Sequence, residues 1–204
     1  MSTNFEPVIQ ALESGGIIVY PTETVYGLGC DPFQRTSIEK IFELKQRPLA
    51  QTPLILIPDV GWLEKLCKNI DPLTAKLVDH FWPGPLTLVF QASREIPPWL
   101  IRDDETLAIR HSSHPWVEVF MKAYQKPLIS TSANLSGQEP SLTIESVQQV
   151  FGDQVDLYID GGELHQNKSS SIVMIQEGKL KVLRPGGVSV NEINKVLYGE
   201  HSSF

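Results

Sequence analysis

Ile17-Ile18-Val19-Tyr20-Pro21-Thr22-Glu23-Thr24-Val25-Tyr26-Gly27-Leu28-Gly29 is the stretch on which the fold turns. Its first four residues are apolar and mostly β-branched, the composition of a buried strand. Pro21 ends that run. The polar residues that follow, closed by two glycines, read as a loop leaving the strand end. Upstream, Asn4 is placed to cap a helix from about Phe5 to Ser14, with Val8, Ile9 and Leu12 on one face and Gly15-Gly16 as its stop. Helix, buried strand and strand-end loop make the repeating unit of α/β proteins, whose ligands bind at strand ends. Thr22, Thr24 and Tyr26 are then either hydroxyls offered to a ligand or hydroxyls that satisfy the turn itself.

The same alternation continues outward. Thr36-Ser37-Ile38-Glu39 reads as a capping box opening a helix with Ile38, Ile41 and Phe42 on its apolar face. Strands are expected at Leu54–Ile57, Thr87–Phe90, Thr106–Arg110, Pro127–Ser130 and Leu157–Ile159. Helices are expected to start at Asp59, at Asp71-Pro72 and at His114-Pro115, and another to run from about Ile144 to Phe151. Trp82-Pro83-Gly84-Pro85 is a rigid turn. Glu177-Gly178 turns Ile172–Ile175 back into Leu180–Arg184 as a hairpin, so part of the sheet is antiparallel. Ser189-Val190-Asn191-Glu192 is a capping box for a last helix. This order predicts an α/β fold, a single-domain twisted mixed sheet, parallel and antiparallel, with flanking helices. The domain is placed at residues 5–190, with 191–204 as the helix end and polar tail and no additional C-terminal domain.

With 204 residues, 41% hydrophobic and 20% charged, the chain has the composition of a soluble protein with a real core. Its net charge of -7 argues against binding nucleic acid through bulk electrostatics. Cys30 and Cys67 are far apart in sequence, as expected of free thiols in a reducing compartment. No secretory leader or membrane span is read, and the expected location is cytoplasmic.

Against this acidic background Leu44-Lys45-Gln46-Arg47-Pro48 stands out. Lys45 and Arg47 end a helix, and Pro48 pushes Arg47 toward extended geometry, so both cations can swing onto one polyanion. The alternative is that they merely complement the negative end of the helix. Neither a phosphate-binding Gly-Lys-Ser/Thr loop nor a dinucleotide fingerprint occurs. His111 and His114 lack a third partner, so no metal site is assigned. What remains is a set of strand-end groups, Thr22, Lys45, Arg47, Arg110, Ser130, Ser132, Asn134, Ser170 and Arg184. Cations and hydroxyls of this kind suit a small phosphorylated ligand.

Five blocks carry a resemblance. Tyr20–Gly29, Lys45-Gln46-Arg47-Pro48, Trp82–Thr87, Ala108-Ile109-Arg110 with His114-Pro115, and Ser130-Thr131-Ser132-Ala133-Asn134-Leu135-Ser136-Gly137 resemble the YrdC family in its own order. They look most like the short bacterial threonylcarbamoyl-AMP synthases of the TsaC type. The resemblance implies a deep, positively charged cavity and a nucleotidyltransferase activity. L-Threonine, bicarbonate and ATP, with Mg2+ on the nucleotide, would give threonylcarbamoyl-AMP and pyrophosphate for N6-threonylcarbamoyladenosine modification of tRNA. It implies that Lys45 and Arg47 are catalytic, and that they bind ATP together with Thr106, Ser130, Ser132, Asn134 and Arg184. Thr22, Arg110 and Ser170 would bind threonine. Ser169-Ser170-Ser171 stands where many members have Glu-Ser-Thr, and Leu49–Pro53 is one residue longer than usual, so no role is placed on that stretch. The product would pass to a tRNA threonylcarbamoyltransferase complex, and weak RNA or tRNA binding is a further expectation. The alternatives are a YciO-like paralogue acting on threonylcarbamoyl-adenylate, a double-stranded RNA-binding protein of the same fold, and an accessory domain of the hydrogenase-maturation type.

Overall fold

In the computed structural model, residues 4–46, 54–165 and 168–199 are described. In chain order the elements are α1 (Glu6–Glu13), β1 (Ile18–Tyr20), β2 (Gly27–Gly29), α2 (Arg35–Leu44), β3 (Leu54–Leu56), α3 (Leu63–Leu66) and α4 (Pro72–Phe81). Then come β4 (Leu86–Gln91), β5 (Thr106–Arg110), α5 (Pro115–Tyr124), β6 (Leu128–Ser132), α6 (Ile144–Phe151), β7 (Leu157–Tyr158), β8 (Ser171–Gln176), β9 (Lys179–Arg184) and α7 (Val190–Tyr198).

The strands form one mixed sheet in the order β7-β1-β2-β6-β3-β5-β4-β8-β9. β1 with β7, β3 with β5 and β4 with β8 are parallel. β1 with β2, β2 with β6, β3 with β6, β4 with β5 and β8 with β9 are antiparallel.

Alternation along the strands builds two cores, because residues two apart share a face. Val19, Ile55, Ile109 and Ile129 point to one face. There they meet Ile38 and Ile41 of α2, Leu77 of α4, Val147 and Phe151 of α6, and Ile193 and Leu197 of α7. Ile18, Tyr20, Leu56 and Leu128 point the other way and pack with Val8 and Leu12 of α1 and with Trp116 and Phe120 of α5. The Trp116, Phe120 and Tyr124 rings stack along α5 with centroids 5.0 and 5.4 Å apart. α1 and α5 cover only part of this second face. Farther across the sheet the same-face positions are Ala108 and Arg110 of β5 and Ser130 and Ser132 of β6, and these line a cavity.

Local signals account for several element ends. Asp71 caps α4 by accepting from Leu73 N at 2.8 Å, Thr143 caps α6, and Ser189 with Glu192 forms the expected capping box of α7. Glu177 (φ 53) and Gly178 (φ 72) take the left-handed conformations of a two-residue hairpin turn. Asn4 acts one step outside α1, where Phe5 is the N-cap, and its Oδ1 accepts from Glu6 N at 3.1 Å.

Two expectations are corrected. Thr36 does not cap a helix: α2 already begins at Arg35 with Gln34 as N-cap, and the Arg35 Nε to Glu39 Oε1 pair at 2.7 Å lies inside its first turns. Ser37, read as part of the box, is buried and donates to the Gly15 carbonyl at 2.9 Å. Gly27-Leu28-Gly29, read as loop, is strand β2. The glycines are there because the Tyr20 ring lies against the strand. A Cβ on Gly29 would sit 2.8 Å from Tyr20 Cε1 and 2.9 Å from the Ile129 carbonyl oxygen. Gly29→Ala is therefore expected to destabilise the protein by about 1–3 kcal/mol, the usual cost of overpacking a core. Chemical denaturation measures this, and an unchanged midpoint would show that the ring has room to shift.

Candidate functional site

The cavity has a volume of about 310 Å³. Its walls come from the β1–β2 loop, the end of α2, β3, β5, β6 with the turn after it, and the segments before β8 and at the end of β9. Four cationic side chains line it, Lys45, Arg102, Arg110 and Arg184, and its described lining contains no carboxylate.

The β1–β2 loop is shaped by its own hydroxyls. Thr22 Oγ1 donates to the Val25 carbonyl at 2.7 Å, accepts from Thr24 N and Val25 N at 3.2 Å each, and lies 2.8 Å from Thr24 Oγ1. Thr22 is thus both a wall of the cavity and the hub of its turn, and its hydroxyl satisfies that turn. Tyr26 spends its hydroxyl on the backbone: it donates to Gly162 O at 2.7 Å and accepts from Gly161 N at 2.9 Å. Glu23 accepts from the Ser112 hydroxyl and so ties this loop to the segment leaving β5.

Arg110 ends β5, where register pairs it with Leu56 of β3. It is 3% exposed, and its Nε has no hydrogen-bond partner among the described residues. A buried nitrogen of a cation left without a partner is costly, and in a native structure it calls for an explanation, a ligand that completes the site being one. Nearby, the Tyr20 hydroxyl donates to Ser130 Oγ at 2.7 Å. Burial pushes the Tyr20 phenol well above its ordinary range and outweighs the Ser130 bond and the Arg110 charge, which pull the other way, so Tyr20 remains a donor.

Lys45 follows the last residue of α2, and Gln46 at φ 51 turns the chain away after it. The Lys45 ammonium donates to the carbonyls of Ser132 and, at 2.7 Å, Asn134, while the Lys45 carbonyl accepts from Ser136 N at 3.0 Å. Lys45 therefore clamps the turn after β6. Within that turn Asn134 Nδ2 donates to the carbonyls of Leu135 (2.9 Å) and Gln138 (2.6 Å), and the buried Oδ1 has no partner among the described residues. On the opposite wall Ser170 Oγ lies 2.8 Å from Thr87 Oγ1. Arg184 donates to the Ser170 carbonyl through Nε at 3.2 Å and through a terminal nitrogen at 2.8 Å.

Thr22, Lys45, Arg110, Ser130, Ser132, Asn134, Ser170 and Arg184 are thus brought to one cavity. Thr106 shares their sheet face but lies outside the lining, and its hydroxyl donates to Asp104 Oδ1. Arg47 and Leu49–Pro53 lie outside the described residues. Sequence reading missed Arg102, because Arg102-Asp103-Asp104-Glu105 looks like an ordinary solvated charge run. It also missed the structural duty of Lys45, which only the partner carbonyls reveal.

The cavity is walled by hydroxyls, the Asn134 amide and four cations, and the Arg110 Nε inside it has no partner among the described residues, a lining whose chemistry suits a small polyanion. The Sua5/YciO/YrdC family model, described as telomere recombination, matches residues 10–186, and the chain belongs to this family. It is 42% identical over 174 residues to a threonylcarbamoyl-AMP synthase of Vibrio campbellii, covering 83% of this chain and 92% of that protein. Among solved structures it is similar to P. abyssi Sua5 complexed with L-threonine, at TM-score 0.89 and 33% identity over 94% of this chain. The chain spans 56% of that longer Sua5 chain. E. coli YciO is similar at TM-score 0.84 and 28% identity, covering 91% of this chain and 90% of YciO.

Proposed function

We propose that the protein is an L-threonylcarbamoyladenylate synthase, joining L-threonine, bicarbonate and ATP, taken up as its Mg2+ complex, into threonylcarbamoyl-AMP with release of pyrophosphate. The observation that carries this reading is Arg110, a buried guanidinium with an unpartnered Nε among the described residues, in the same cavity as Lys45 and Asn134. A free amino acid supplies the carboxylate that a planar fork binds bidentately. The similarity to Sua5 complexed with L-threonine supports the same assignment.

In this reading Arg110 pairs with the threonine carboxylate, and Thr22 and Ser170 frame the rest of that substrate. Lys45, Arg47, Ser130, Ser132, Asn134 and Arg184 serve ATP, with Asn134 Oδ1 as an acceptor for a nucleotide N–H or O–H. The threonine amine forms an N–C bond with the carbon of bicarbonate, with loss of water, to give a carbamate. A carbamate oxygen then forms a bond to the α-phosphorus as the bond to pyrophosphate breaks. The described lining contains neither carboxylate nor imidazole, and the Lys45 ammonium is engaged as a donor, so no general base is assigned. Catalysis rests on positioning and on cations that offset charge at phosphorus. The product would be handed to a tRNA threonylcarbamoyltransferase complex, and the reaction is placed in the cytoplasm. Among the described residues no helix is long and apolar enough to cross a membrane.

The test is pyrophosphate release by the purified chain. Release that requires both threonine and bicarbonate is the expected result. Turnover of preformed threonylcarbamoyl-adenylate without its synthesis would replace this reading with a YciO-like one.

A further inference from the structure

Arg102 was not marked by any motif, yet it lines the cavity. Its backbone is held firmly. Arg102 N donates to the Thr106 carbonyl at 2.8 Å, Glu105 N donates to the Arg102 carbonyl at 2.9 Å, and Glu105 closes the turn at φ 58. Its side chain is held loosely. It is 40% exposed, and its Nε stands 3.9 Å from Asp104 Oδ1. A charge-assisted hydrogen bond of this type is about 2.7–2.9 Å long, so the guanidinium is attracted to Asp104 without being bonded to it. The same Asp104 oxygen accepts the Thr106 hydroxyl. Arg102 also lines an adjoining surface cleft with Lys68, Arg94 and Glu105, in which the Lys68 ammonium donates to Glu105 at 3.2 Å, so it stands on the wall between the cavity and that cleft.

A fixed backbone carrying a weakly paired guanidinium at a cavity wall is arranged to change partners. We propose that Arg102 is a further ligand-contacting residue, which leaves Asp104 for the phosphate groups of the nucleotide in the cavity. Thr106 and Asp104 then act as positioning residues: the threonine hydroxyl fixes the carboxylate that holds Arg102 between binding events. This inference rests on the nucleotide reading above. It also explains how Thr106 serves the nucleotide while its own hydroxyl is turned to Asp104.

The test is calorimetric titration of the full chain and its variants with ATP, adenosine and L-threonine. Arg102→Ala is expected to weaken ATP binding about tenfold, within the range for losing one charged contact at a partly exposed site, and to leave adenosine and threonine affinities unchanged. Asp104→Asn keeps an acceptor for Thr106 but removes the competing charge, so ATP should bind it about threefold more tightly. A merely structural role would produce no such gain. Equal ATP affinity for Arg102→Ala and the parent overturns the proposal. Equal weakening of ATP and adenosine also overturns it, because a collapsed wall and not a lost charge contact would be responsible. A parent that binds adenosine and threonine but not ATP brings down the nucleotide reading as well, so the two failures are told apart.

Discussion

Arg110→Met is expected to lower kcat/KM for threonine about a hundredfold or more while leaving the protein at least as stable as the parent. Both effects follow from one fact: the guanidinium is 3% exposed and its Nε has no partner among the described residues. Truncating one member of a buried charge pair costs about 2–5 kcal/mol of binding, and each 1.4 kcal/mol is about a factor of ten. In the ligand-free protein the balance reverses. There the buried guanidinium carries its desolvation cost with Nε unpartnered among the described residues, and methionine of similar length removes that cost while filling the space. Arg110→Lys separates charge from geometry. It keeps the cation and loses the planar fork, so most of the threonine specificity should be lost with it. Pyrophosphate release against threonine concentration and thermal melts of the same variants make the measurement. Threonine kinetics within a few-fold of the parent in Arg110→Met would remove the carboxylate assignment.

Lys45→Ala is the second large effect, and it should act on activity and stability together. The ammonium holds the Ser132 and Asn134 carbonyls, and Lys45 is 3% exposed. Losing it leaves two carbonyls in the cavity wall without this donor, at about 1–3 kcal/mol for each that stays dry. In a domain of this size each kcal/mol corresponds to a fall of about 2–4 °C in melting temperature. Adenylate formation should drop about a hundredfold or more, the scale for removing a charge-stabilising group at phosphorus. Lys45→Arg is expected to rescue charge but not activity, because a fork cannot replace a point donor between two carbonyls. Normal activity in Lys45→Ala, measured by pyrophosphate release, would leave the residue as a clamp of the turn after β6 only.

The elements that were legible in the chain are those whose cause is local. The Asp71-Pro72 start of α4, the Ser189–Glu192 box of α7 and the Glu177-Gly178 turn are set by residues a few positions apart. β5 was read to its observed ends because Thr106–Arg110 is bounded by charge and turn residues on either side. The errors share the opposite cause. β2 looks like a loop because its glycines answer to the Tyr20 ring of the neighbouring strand. The Thr36 motif has the right letters, but the chain enters the helix earlier, at Arg35, with Gln34 reaching across to the Leu12 carbonyl at 3.1 Å.

The site divides the same way. Residue order sufficed to show that cations and hydroxyls cluster at strand ends, since strand periodicity and breaker residues are short-range properties. It could not show which of them meet. Lys45 and Asn134 are 89 positions apart and are joined by one hydrogen bond. Arg102 reads as surface, and only its place on the cavity wall makes it a ligand candidate. Period-two alternation sends Arg110, Ser130 and Ser132 to the same face of the sheet. Whether that face is filled by a helix or left hollow depends on how far α1 and α5 reach across it, and distant contacts alone determine that.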